Sequence, residues 1–182
     1  RAAFSKVGTR ETFTADEMRA RGRDGMRHIS ELLTAAGLTT VHDAGADLGR
    51  IAIYKKLLDA RELPVRVYVM AGGGPAQDHY LTVGPERNVR GDGMLSVRSF
   101  KLMLDGSLGG RGAALTDAYT DAAETRGVEM MTEQELDGLI REARAKGIQL
   151  GIHVIGDRAV TRALDAFERG GVTPADRFRL EH

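Results

Sequence analysis

Side chains with metal-binding or nucleophilic chemistry recur at comparable places: His42 in "LTTVHDAG", Lys101 in "SFKLMLDG", His153 in "GIQLGIHVIGD" and His182 in "RFRLEH". A neutral imidazole nitrogen suits Zn2+ or a similar divalent ion when rigid elements aim several such groups at one point and leave a position open for water. Lys101 is flanked by Phe100 and Leu102. Keeping an ammonium charged in such company is costly, so desolvation lowers its pKa and favours the free amine. Taken singly, each residue has a plainer reading. His42 is turn chemistry beside Asp43, His153 a satisfied core histidine, His182 the start of an expression tag, and Lys101 a surface chain whose stem lies along apolar neighbours. That plainer reading must be invoked separately for every one of them, which weakens it. No H-E-x-x-H occurs, and His28 and His79, on a helix and in a loop, read as surface residues.

Periodicity gives the elements that must position these residues. Residues 14 to 36 read as a helix, with Thr14 and Glu17 as a capping box, Met18, Ile29, Leu32 and Leu33 as apolar positions, and Gly37 as the stop. "LTTVHDAG" is a strand, and residues 47 to 62 form a helix with Ile51, Tyr54, Leu57 and Leu58 at helical spacing, closed by Leu63-Pro64. "VRVYVMAGGG" is a β-branched strand, whereas residues 73 to 97, with Pro75, Pro85 and several glycines, read as a long loop. A strand from about Phe100 to Leu104 leads into a glycine-rich loop, and residues 116 to 131 are again loop. Thr132 and Glu135 cap a helix that Gly147 stops before the strand carrying His153; Asp157 caps the next, with Val160, Leu164 and Phe167 on one face. "RFRLEH" is the last strand. Alternation puts Lys101, Met103 and Asp105 on one face and Phe100, Leu102 and Leu104 on the other; Gly151 and His153 likewise share a face.

Helices and strands in this order imply a parallel sheet joined by right-handed crossovers. Periodicity leaves open whether the sheet is doubly wound or an arc of a (β/α)8 barrel. In a barrel the C-terminal strand ends converge on one mouth, and His42, His153 and His182 lie at or near such ends. "GSLGGRG" lacks G-x-G-x-x-G spacing and no phosphate-binding G-x-x-x-x-G-K-[ST] is present, so a nucleotide-binding sheet loses ground.

The 26 basic and 26 acidic side chains cancel, leaving no global field to attract nucleic acid or an anionic membrane. Without cysteine there are no thiolate metal sites. No apolar segment nears the roughly 20 residues that span a bilayer. The expected partner is a small molecule, with no nucleic acid and no membrane, and with self-association into a homo-oligomer allowed. No targeting segment is evident, so a cytoplasmic location is expected over an exported one. The chain opens on Arg1-Ala2-Ala3 and stops in mid-alternation at His182, as a piece of a longer protein would.

"FKLMLDGSLGGRGAAL", "GIHVIGDRAVTRALDAFE" and "RFRLEH", in that order and preceded by "AAGLTTVHDAG", resemble the metal-dependent amidohydrolase superfamily, in particular the branch similar to N-substituted formamide deformylases (amidohydrolase family 3). The resemblance implies an α/β fold, a partial (β/α)8 TIM barrel comprising about strands two to six. Residues 1 to 182 would then be a piece of one barrel domain, truncated at both ends. It further implies that Lys101 is the fourth-strand lysine, often carboxylated to bridge two metal ions, and that His153 and His182 are ligands from the fifth and sixth strands. The implied cofactor is a divalent metal, Zn2+, as one or two ions. The implied reaction is attack of metal-activated water on an amide, formamide or N-acyl carbon-nitrogen bond other than a peptide bond. The family's His-x-His pair and its eighth-strand aspartate have no counterpart here, so a general base is expected outside these residues. At the mouth, Asp105 and Arg111 of the glycine-rich loop, with His42, are expected to contact substrate. Two other readings stand beside this one. The same barrel could carry phosphotriesterase-like or deaminase-like hydrolysis, or the chain could be a non-catalytic α/β binding module with structural histidines.

Overall fold

A computed structural model describes residues 14–182; the opening Arg1-Ala2-Ala3 lies outside them. Local signals set most of the element ends. Helix α1 (Ala15–Ala35) begins at the Thr14–Glu17 capping box. Helix α2 (Leu48–Asp59) begins at Asp47, whose carboxylate accepts from the Arg50 N–H, and buries Ile51, Tyr54, Leu57 and Leu58 as their spacing predicts. Helix α4 (Glu133–Lys146) starts at the Thr132–Glu135 capping box and ends at Gly147 in the left-handed region.

Strands β1 (Thr40–Ala46), β2 (Arg66–Ala71), β3 (Leu95–Met103), β4 (Gln149–His153) and β5 (Arg179–Glu181) form one sheet in the order β1-β2-β3-β4-β5. Every pairing is parallel. Each crossover therefore returns to the adjacent strand and the order never reverses, as in a barrel wall and unlike a doubly wound sheet. The two faces differ in the same sense. Val67, Val69, Leu95, Val97, Phe100, Leu102, Leu150 and Ile152 are buried in the core shared with the helices. The opposite face carries Tyr68, Lys101, Met103 and His153, which retain exposure. The fold is thus an α/β half-barrel of parallel strands. Burying Phe100 and Leu102, each worth about 1.5–3 kcal/mol, is what turns Lys101 to the inner face, because a one-residue slip would exchange the faces.

The structure departs from the sequence expectation in three places. Residues 73 to 97 are not all loop: helix α3 (Pro75–Val83) occupies their first part, with Pro75 in its first turn, where no amide hydrogen is needed, and Ala76 and Tyr80 buried. Strand β3 begins at Leu95, earlier than Phe100, and its Arg98 is bulged out of the pairing with β2. Helix α5 (Asp157–Arg169) has Gly156 at its N-cap, so Asp157 is its first residue and not its cap. Its core face is Ala159, Ala163 and Ala166, while Leu164 stays 52% exposed.

Candidate functional site

Strands β3, β4 and β5 deliver their chemistry to one end of the half-barrel. Lys101 pairs in register with Gly151, and Met103 with His153, which in turn pairs with Glu181. Because Gly151 has no side chain, the space between Lys101 and β5 is left to neighbours: a Cβ there would lie 2.9 Å from both Glu181 Oε1 and Met70 Sδ. Lys101 is partly buried, and its Nζ donates to the Leu102 carbonyl at 3.2 Å. Desolvation holds it below the ordinary lysine range, while the Glu181 carboxylate acts in the opposite direction.

The rings of His153 and His182 meet edge to face, with centroids 4.6 Å apart. Strict alternation would send His182 to the face opposite Glu181. Its backbone leaves the strand instead, at φ 77°, and the ring comes to His153. His42 sits apart from that pair, on edge strand β1, where its ring lies 4.7 Å from Tyr68, its partner in register. It shares a cavity of about 380 Å³ with Ile29, Leu33, Arg50 and Tyr54 of the helical layer.

Asp105 and Arg111 both lie on the loop after β3, in opposite environments. Arg111 is exposed and pairs with Asp121 at 3.1 Å. Asp105 is fully buried, and its carboxylate accepts N–H groups from Gly156 at 2.7 Å, Ala114 at 2.9 Å and Ile155 at 3.1 Å. It ties the loop after β3 to the turn between β4 and α5. The Ala114 carbonyl completes the junction by accepting from Arg158 and Ala159 in the first turn of α5. Such close approach requires glycine: a Cβ on Gly127 would overlap the Ala113 carbonyl, and one on Gly156 that of Ala114. Further along the loop, Glu129 pairs with both Arg158 and Arg162 of α5.

Sequence reasoning passed over a polar layer on the inner face. Arg179 pairs with Glu181 at 3.0 Å, its guanidinium lies 5.6 Å from the centre of the Tyr68 ring, and the Tyr68 hydroxyl donates to Gln149. Burial pushes the Tyr68 hydroxyl above the ordinary tyrosine range. The alternation of Arg179 and Glu181 about Leu180 was the signal available for them.

Among the described residues no group of three or more His, Asp or Glu side chains encloses an ion. Two imidazoles meet here, and Lys101 lies on the neighbouring strand with its Nζ at the Leu102 carbonyl and Met103 Sδ; these donor types suit a divalent metal of the Zn2+ type.

Comparison with known proteins bears on the family and the fold. The pattern described as "Amidohydrolase family" matches residues 2–182. The chain is 42% identical over 84 residues to the putative amidohydrolase YtcJ of Bacillus subtilis (strain 168), covering 46% of this chain and 16% of that protein. It is 36% identical over 91 residues to Protein LONG AFTER FAR-RED 3 of Arabidopsis thaliana, covering 48% and 16% respectively. An uncharacterized metal-dependent hydrolase from Pyrococcus horikoshii OT3 superposes with a TM-score of 0.80 at 28% identity, over 90% of this chain and 32% of that one. A second, from Pyrococcus furiosus, gives 0.80 at 27% identity over 94% and 34%. These matches span a minor part of each relative's own length.

Proposed function

The chain belongs to the amidohydrolase family, and from that premise we propose that the whole protein is a metal-dependent hydrolase cleaving carbon-nitrogen bonds, other than peptide bonds, in a small amide, formamide or N-acyl substrate. The observation that carries this reading is the meeting of the His153 and His182 rings, 4.6 Å apart, at the strand ends, with Lys101 on the neighbouring strand in register with Gly151. Lys101, in carboxylated form, His153 and His182 would hold the metal, Zn2+ as one or two ions. When bound, the metal supplies an electrophile for the carbonyl oxygen and acidifies water. The chain's own residues do the rest of the positioning. Partial burial keeps the Lys101 amine disposed to lose its proton, the condition under which it takes up carbon dioxide. Strand β4 holds His153 through its pairing on both sides. Arg111 on the exposed loop remains our candidate for substrate contact. His42, expected at a C-terminal strand end, instead lies near the start of β1 beside Tyr68, Gln149 and Arg179, toward the end of the sheet opposite His153, and the carboxylate of Asp105 is buried and backbone-bound, so neither serves that role. We assign no general base among these residues.

The test uses the whole protein with its metal content measured by elemental analysis. It is assayed against formamides, N-acyl amino acids and phosphotriesters. Hydrolysis of the first two classes is expected, with His153→Ala and His182→Ala each losing most of the metal and at least about 100-fold in kcat/KM. Turnover of phosphotriesters alone would replace the carbon-nitrogen assignment. Full metal content in both variants, with only an earlier melt, would make the histidines structural and sink the reading.

A further inference from the structure

We propose that Asp105 is a positioning residue for His153: its buried carboxylate takes the Nε2–H of the imidazole, fixes the tautomer, and leaves Nδ1 to face the metal. The proposal deepens the metal-dependent reading above and rests on it for the role of Nδ1. It starts from two observations that answer each other. His153 Nε2 is buried and has no hydrogen-bond partner among the described residues, and Asp105 Oδ1 lies 3.7 Å from it. A desolvated imidazole nitrogen is costly to leave unpaired, and a shift of less than ~1 Å closes this gap to hydrogen-bond length. The carboxylate is the fixed partner in that approach. Its Oδ2 is held by the Gly156 and Ala114 N–H groups at 2.7 and 2.9 Å, and its Oδ1 by the Ile155 N–H at 3.1 Å. These donors come from separate segments, so the carboxyl plane cannot turn without breaking the junction between the loop after β3 and the start of α5. Oδ1 retains capacity for a second donor. The backbone holds the two residues side by side as well: Met103 pairs with His153, and the Leu104 N–H donates to the His153 carbonyl at 3.1 Å. The loop clamp and the imidazole partner are thus one carboxylate, and its rigidity is what makes it able to select a tautomer.

Asp105→Asn separates the two roles in the whole protein. The amide oxygen keeps the Gly156 and Ala114 N–H groups and, at the Oδ2 place, the 3.3 Å approach of the Ile155 N–H, whose 3.1 Å bond to Oδ1 is lost because the NH2 now stands there. Facing Nε2, the NH2 acts as a donor and drives the ring proton onto Nδ1. Zn2+ affinity, measured by competition with a chelator, should fall about 10–100-fold while the circular dichroism spectrum is kept. Asp157→Ala is the control. It removes the acceptor of the Thr116 N–H at 2.9 Å, loosens the same junction without touching His153, and should lower Tm with Zn2+ affinity within about twofold of the parent. A crystal structure of the zinc-loaded protein should show Nδ1 on the metal and Nε2 within about 3.2 Å of Asp105 Oδ1. Nε2 on the metal, or an Asp105→Asn variant that melts early with unchanged Zn2+ affinity, would overturn the proposal. A whole protein that takes up no Zn2+ would overturn the hydrolase reading instead. The metal-free crystal structure then decides the hydrogen bond alone, and its absence there also overturns the proposal.

Discussion

Gly151 and Gly156 stand two residues before and three after His153, and their missing side chains have different consequences. At Gly151 an added methyl would meet the far ends of two flexible side chains, Glu181 and Met70, which can move aside. At Gly156 it would meet the Ala114 carbonyl, backbone that is itself hydrogen-bonded to α5. Gly151→Ala is therefore expected to cost about 1 kcal/mol and Gly156→Ala about 3 kcal/mol or more, compared by urea denaturation of the whole protein. Similar costs at the two positions would mean that the packing of the loop after β3 against the start of α5 is looser than described. The same comparison explains why Asp105 is buried: a carboxylate can sit there because three N–H groups converge on it, and they converge because Gly156 lets the chains approach.

Among the elements, α5 shows how the small residues of a helix can carry its packing. Ala159, Ala163 and Ala166 are wholly buried, and a neighbouring glycine, Gly170, would meet Ile140 of α4 if it gained a Cβ. Helices α4 and α5 approach closely at Gly170, and the alanine face of α5 lies in the core while Leu164 stays outside it. Ala163→Leu should cost about 1–3 kcal/mol by overpacking, while Leu164→Ala should change stability by under about 0.5 kcal/mol; thermal melts of the two variants provide the comparison. The reverse order would put Leu164 against the core and the alanines outward.

The described strands form an arc. Strands β1 and β5 are the outermost strands of the described sheet, and the inner face leaves Met103 40% exposed. On α1, Met18, Ile29 and Leu32 are each more than half exposed. Open strand edges and uncovered apolar surface favour association. Residues 1–182 expressed alone are expected to self-associate at micromolar concentration, as read by sedimentation velocity. A monomer with reversible, cooperative unfolding would show that the arc satisfies its own edges. Among the described residues no helix is long and apolar enough to cross a membrane.

What the sequence determined by itself was whatever local bonding and periodicity decide. The Thr14 and Thr132 capping boxes, the buried stripe of α2 and the alternation that separates Lys101 from Phe100 and Leu102 each depend on residues a few positions apart. The motifs also carried the family. Tertiary structure alone decided what depends on chains remote in sequence meeting. Helix α3 opens at Pro75 and buries Tyr80, and α5 turns its alanines inward and leaves Leu164 exposed. His182 leaves the alternation to reach His153. Asp105, read from sequence as a substrate contact, is instead enclosed by amides up to 51 positions away. Such meetings are set by packing and backbone approach over the whole sheet, which no window of neighbouring residues contains.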